Sequence, residues 1–95
     1  MLAIVHLNWR GTNEEFQAVC KHVKEIIVNT QGIELVGLYV PSNDWNYAVV
    51  YKVKSFTNFL DYQKIVREKL RQENLNKIPK RELELYVEPK SIGQY

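Results

Sequence analysis

Residues 33–53 read IELVGLYVPSNDWNYAVVYKV, and this stretch decides the fold. Two runs rich in β-branched and aromatic residues, 33–40 and 45–53, flank Pro41-Ser42-Asn43-Asp44. The runs have strand character and the tetrapeptide has turn chemistry. Four residues cannot carry a parallel crossover, so the two strands form an antiparallel hairpin.

Toward the N-terminus, Thr12 and Glu15 fit a capping box, in which a hydroxyl and a carboxylate three residues apart satisfy each other's free amides. Phe16, Val19, Cys20, Val23, Ile26 and Ile27 follow at spacings of three and four, one apolar stripe of a helix. Asn29 to Gly32 stops it. Residues 2–9 form a strand that ends at Arg10-Gly11, with Ala3, Val5, Leu7 and Trp9 on one face and Leu2, Ile4, His6 and Asn8 on the other. Toward the C-terminus, Ser55 caps a second helix over 56–73. Phe56, Phe59 and Leu60 begin its apolar face, and Tyr62, Val66 and Leu70 continue it. A polar loop ends in Ile78-Pro79. The last strand covers 83–87, Pro89 stops it, and 90–95 is a tail.

The order is β-α-β-β-α-β. Right-handed crossovers put both helices on one face of an antiparallel sheet of strand order 4-1-3-2, a split β-α-β sandwich of α+β class. The opposite face has no helix. Strand two carries Ile33, Leu35 and Tyr39 against Val36, Leu38 and Val40. Strand three carries Trp45, Tyr47, Val49, Tyr51 and Val53 against Asn46, Ala48, Val50, Lys52 and Lys54. Only the last strand alternates cleanly, with Leu83, Leu85 and Val87 against Glu82, Glu84, Tyr86 and Glu88. Three strands apolar on both faces expose a patch of the kind that marks an interface or ligand groove.

The chain of 95 residues is one domain, 1–95. A net charge of +2 is too small to imply a nucleic-acid or membrane partner. Cys20 is the single cysteine, so no internal disulfide forms and a reducing cytoplasm is the expected compartment. No apolar run reaches the roughly 20 residues of a membrane span. Met1-Leu2-Ala3-Ile4-Val5 lacks a basic leader and reads as strand.

The chain resembles the dimeric α+β barrel superfamily, whose ferredoxin-like subunits pack sheet on sheet. The likeness runs from Leu2 to Pro89. It rests on Asn8-Trp9-Arg10-Gly11 closing the first strand, on Glu14-Glu15-Phe16 opening the first helix, and on the Gly37-Leu38-Tyr39 to Trp45-Asn46-Tyr47-Ala48-Val49-Val50 hairpin. It implies a homodimer joined through the open sheet face, with an enclosed pocket in each subunit. The superfamily holds cofactor-independent monooxygenases, haem-degrading enzymes, lactone isomerases, cyclases and ligand sensors, and fold does not choose among them.

His6 is the leading catalytic candidate, as a general base or ligand donor. Asn8, Glu84 and Tyr86 share its face by strand order, and with Trp45 they form the candidate ligand-binding set. The competing readings are a histidine satisfied across a dimer, a solvated edge strand and aromatics that fill an interface. His6 and His22 have no partner at metal-ligand spacing, so neither metal nor cofactor is assigned. Cys20 lies on an apolar stripe and reads as a small hydrophobe. Lys64, Arg67, Lys69, Arg71, Lys77, Lys80 and Arg81 against Glu68 and Glu73 read as a solvated helix face rather than a patch for an anion. The expected function is an uncharacterised homodimer that binds or transforms a small organic molecule between sheet and partner. The alternatives are a non-catalytic structural or regulatory dimer and an RNA-binding module. The last is the weakest, because an Arg/Lys-Gly lead and a central aromatic on strand one are missing.

Overall fold

The computed structural model describes residues 1–87. Strands β1 (Leu2–Asn8), β2 (Ile33–Tyr39), β3 (Tyr47–Val53) and β4 (Lys80–Tyr86) and helices α1 (Asn13–Val28) and α2 (Phe56–Gln72) follow in the order β-α-β-β-α-β. The sheet order is β2-β3-β1-β4, the expected 4-1-3-2 read from the other edge, and every pairing is antiparallel. Pro89 as a strand stop, Glu88 and the tail at 90–95 lie outside the described residues.

β1 is central and sets both faces. Ala3, Val5 and Leu7 are buried and pair with Tyr51, Val49 and Tyr47 of β3. On the other side they pair with Leu85, Leu83 and Arg81 of β4. This is the face under the helices. The open face carries Leu2, Ile4, His6 and Asn8 beside Lys52, Val50 and Ala48, and beside Tyr86, Glu84, Glu82 and Lys80.

β2 departs from strict alternation. The register shifts between Leu35 and Gly37, so Val36 is the extra residue of a β-bulge. Gly37 then pairs with Val50, Leu38 with Val49 and Tyr39 with Ala48. Leu38 therefore joins Leu35 on the helix side, and Tyr39 moves to the open face, the reverse of simple alternation. The open face of β2 is Glu34, Gly37 and Tyr39 rather than an apolar row. The uncovered apolar strip narrows to the two central strands.

Two other boundaries differ from the sequence reading by more than one residue. Trp45 and Asn46 precede β3, held in a turn where the Trp45 amide donates to Asn43 Oδ1 at 3.0 Å. β4 starts at Lys80, three residues early, because its ladder with β1 runs through to Asn8↔Lys80 whatever the propensity of Lys80-Arg81-Glu82.

α1 starts as its sequence dictates. Glu15 N–H donates to Thr12 Oγ1 at 3.1 Å and Thr12 N–H donates to Glu15 Oε1 at 2.9 Å. Lys77 adds its ammonium to the same carboxylate, and Arg10 N–H donates to the Lys77 carbonyl at 3.0 Å. The loop ahead of β4 is thereby fastened to the first turn of α1. α1 ends at Asn29, and Gly32 follows with φ +80°, a conformation that L side chains rarely adopt. α2 is capped by the Ser55 hydroxyl and closes in a Schellman motif. Asn74 takes φ 56°, its N–H donates to Arg71 O, and Leu75 N–H donates to Leu70 O at 2.8 Å. Leu75 packs on Leu70 and Val19 in a small core.

The main core holds Ala3, Val5, Val53, Phe59, Tyr62 and Tyr51. Phe59 and Tyr62 are the largest fully buried side chains. Phe56 and Leu60 stay exposed, so the α2 stripe is narrower than its sequence implies.

Thr12→Ala should cost about 1 kcal/mol of unfolding free energy, read as a lower urea midpoint at unchanged slope. Lys77 first, then the Thr12 amide, hold the Glu15 carboxyl below its ordinary range. A folded value below the unfolded one gives stability that is complete above the unfolded value of about 4.3 and is lost as pH falls through the folded value. The stability gap between wild type and Glu15→Gln should therefore be open at pH 7 and narrow as pH falls below about 4.3.

Candidate functional site

The open face brings four of the five candidate residues together. Neighbouring β1 and β4 place His6 Nδ1 3.3 Å from Glu84 Oε1. Tyr86, two residues along the same face, donates its hydroxyl to Glu84 Oε2 at 2.6 Å. That bond, with the carboxylate's charge, raises the Tyr86 pKa. The His6–Glu84 approach is not aligned as a hydrogen bond, and Nδ1 is buried without a hydrogen-bond partner. Trp45 packs over the imidazole with ring centroids 6.1 Å apart, and Lys80 Nζ lies 5.8 Å from the Trp45 centroid.

Asn8 has a different task. Its Oδ1 accepts from Asn46 N–H at 3.0 Å, and Asn46 Oδ1 accepts from Trp9 N–H at 2.8 Å. The pair staples the end of β1 to the entry of β3. Among the described residues, no group of three or more His, Cys, Asp or Glu is placed to hold a metal ion. No described helix is long and apolar enough to cross a membrane.

A hollow lies on the other side of the sheet. A cavity of about 570 Å³ runs between the helices and the strands. Val5, Val49 and Leu35 form its floor, and Val19, Val23 and Val66 form its roof. None of His6, Asn8, Trp45, Glu84 or Tyr86 lines it. Large aromatics stand at its two ends. Phe16 of α1 stacks on Tyr47 of β3 with centroids 4.1 Å apart. Tyr51 of β3 meets Tyr62 and Phe59 of α2 at 5.2 and 5.5 Å. Tyr62 donates its hydroxyl to Tyr51 at 2.9 Å in a buried bond. Burial pushes the Tyr51 pKa up to about 12 and raises that of Tyr62 as well. Both phenols therefore stay protonated at neutral pH. Cys20 also lines the cavity, and burial raises its thiol pKa, which keeps it in the unreactive form.

Cavity residues such as Tyr51, Tyr62, Arg67 and Arg81 were not singled out as a site from sequence. Beside the basic run read as a solvated face, the signal for the cavity was the bulky aromatics on inward positions of β3 and α2. It reads equally as a filled core.

Neither a family model nor a curated protein matches the sequence. Solved structures do match in shape. A dabb family protein with a ferredoxin-like fold from Mesorhizobium loti superposes with TM-score 0.67 at 14% identity, over 93% of this chain and 95% of that one. An AsnC family transcriptional regulator from Agrobacterium tumefaciens superposes with TM-score 0.60 at 17% identity over 95% of this chain. This chain spans only 52% of that regulator. A dimeric ferredoxin-like protein of unknown function from Thermobifida fusca gives TM-score 0.57 at 14% identity, over 87% and 85% of the two chains. The fold is thus ferredoxin-like α+β. At these identities the likeness concerns the fold alone.

Tyr62→Phe should cost about 1–3 kcal/mol, because it leaves the buried Tyr51 hydroxyl without its partner. Tyr51→Phe in addition should cost less than the sum of the single changes, and a double-mutant cycle in urea reads the coupling.

Proposed function

We propose that the protein is a homodimer closed through its open sheet face, and that each protomer binds a small, largely apolar organic molecule beneath its helices. The cavity carries the ligand reading. Its volume of about 570 Å³ falls among small-molecule sites, which span about 300–1,000 Å³. A purely structural dimer has no use for a hollow of that size, which forfeits dispersion contacts along its whole lining. Under this reading the ligand lies on the helix side of the sheet, and the second copy covers the other side.

The dimer reading rests on the open face. Leu2, Ile4 and Val50 form a central apolar strip, with Tyr39 52% and Tyr86 49% exposed at its borders. The borders carry both charge signs, Lys52 beside Glu34 and Lys80 beside Glu82. A two-fold axis turns such a face onto itself with opposite charges matched. The Thermobifida fusca neighbour is itself described as dimeric. With its single free thiol, Cys20, the chain fits the reducing cytoplasm as its working compartment.

One observation favours a second reading of the open face. The buried Nδ1 of His6 has no hydrogen-bond partner, and the Glu84 carboxylate stands beside it. In this reading the face is itself a site. His6 is the base, Glu84 and Tyr86 orient it, and Asn8 and Trp45 bound the ligand.

Light scattering across a dilution series should return twice the chain mass for wild type. Val50→Glu, which sets a carboxylate at the centre of the strip, should give a folded monomer. A wild-type monomer at all concentrations refutes the dimer. His6→Ala and Glu84→Gln separate the two ligand readings by calorimetric titration. Full retention of ligand affinity places the ligand under the helices, and its abolition places the ligand on the open face.

A further inference from the structure

Three basic residues of α2 and the following loop are held by carboxylates. Lys69 faces Glu73 at 3.2 Å, Arg71 grips Glu68 with two nitrogens, and Lys77 holds Glu15. Among the described residues, Arg67 and Arg81 have no carboxylate within ion-pair distance. Both line the cavity under the helices.

They approach it from opposite walls. Arg67 projects from α2, and Arg81 sits on β4 opposite Leu7, on the helix side of the sheet. Lost hydration, and then the charge of Arg67, lowers the Arg81 pKa, so the two guanidinium groups share one field. Lys24 of α1 is a third cation in the lining, and no aspartate or glutamate lines the cavity. A hollow bordered by cations alone raises the local concentration of anions. Most of its other lining is apolar, including Val19, Leu35, Val49, Val66, Leu70 and Ile78. A bare inorganic anion leaves those walls unfilled, and a neutral hydrocarbon leaves the arginines unpaired.

The cavity has a second polar end. Tyr51 accepts from Tyr62, so its own hydroxyl proton is left to donate, and no acceptor for it occurs among the described residues. Tyr51 lies four residues along β3 from Tyr47, which is level with Leu7 and Arg81. That offset is about 13 Å of strand. It sets the reach of a molecule that lies between the two ends.

Granted the ligand-binding reading above, we propose that the occupant is an amphipathic organic acid. Its carboxylate lies between Arg67 and Arg81, and its apolar body runs under α1 and α2 and ends short of the Tyr51 hydroxyl. Guanidinium groups suit a carboxylate because their paired N–H donors match its two oxygens.

The test is calorimetric titration of the full chain with three probes that share one body: octanoate, octan-1-ol and octylammonium. Octanoate should bind at least about ten-fold more tightly than octan-1-ol, and octylammonium should not bind. Arg67→Met and Arg81→Met should each weaken octanoate by about ten- to a hundred-fold and leave octan-1-ol unchanged. Wild-type affinity for octanoate should fall with added salt while that for octan-1-ol does not. The salt series needs no variant, so it decides the matter if a substitution disturbs folding. Octan-1-ol binding as well as octanoate, or a flat salt response for octanoate, overturns the organic acid and leaves the apolar site standing. Failure of all three probes overturns the site itself.

Discussion

The structure depends on how far the helices stand from the sheet, and that spacing is set by aromatic side chains at two ends of β3. At one end Phe16 lies flat on Tyr47. At the other, Tyr51, Phe59 and Tyr62 meet at centroid distances of 5.2–5.9 Å, locked by the Tyr62–Tyr51 hydroxyl bond. Aliphatic residues fill the stretch between. Valine and leucine are shorter than the rings that flank them. Helices propped on rings at both ends cannot settle onto them, and a well-packed core resists local collapse. The cavity is the geometric remainder.

The same props explain the division of labour between the two faces. The space under the helices is largely apolar, with Lys24, Arg67 and Arg81 in its lining and the buried Tyr51–Tyr62 pair at one end. Everything on the open face is arranged as a central apolar strip with charged borders. β1 separates the two environments residue by residue, Val5 facing the hollow and His6 facing out. One strand therefore serves two surfaces, and a slip by one residue would exchange them. The stapling of Asn8 to Asn46, and of Met1 to Val53 through paired main-chain bonds, fixes that register at both ends of the strand.

Much of this was legible in the sequence. The capping box at Thr12 and Glu15, the Ser55 cap, the hairpin and the strand order all follow from local chemistry and crossover handedness. The meeting of His6, Glu84 and Tyr86 on one face follows from the strand order. The bulge was not legible, because Val36-Gly37-Leu38-Tyr39-Val40 is apolar in either register and one extra residue leaves no mark in its composition. The early start of β4 was hidden by the polarity of Lys80-Arg81-Glu82, whose pairing is imposed by β1. The cavity was hidden because its volume depends on the heights of side chains from four elements. Arg67 and Arg81 looked like any other basic residues of a solvated helix and loop. Lys69, Arg71 and Lys77 are paired with Glu73, Glu68 and Glu15, and Lys64 and Lys80 do not line the cavity, so Arg67 and Arg81 stand apart only by their place in it.

The bulge at Val36 also governs how this molecule can meet others of its kind. β2 is an edge strand with Val36 50% and Val40 78% exposed nearby, the sort of border that recruits further strands without limit. One surplus residue puts its amide and carbonyl groups out of step with any straight newcomer and twists the border away. Growth by strand addition is thereby discouraged on that side. At the opposite border, the charges of β4 do the same. What is left open is the flat of the sheet, and the two-fold contact proposed there closes after two molecules rather than propagating into a fibre.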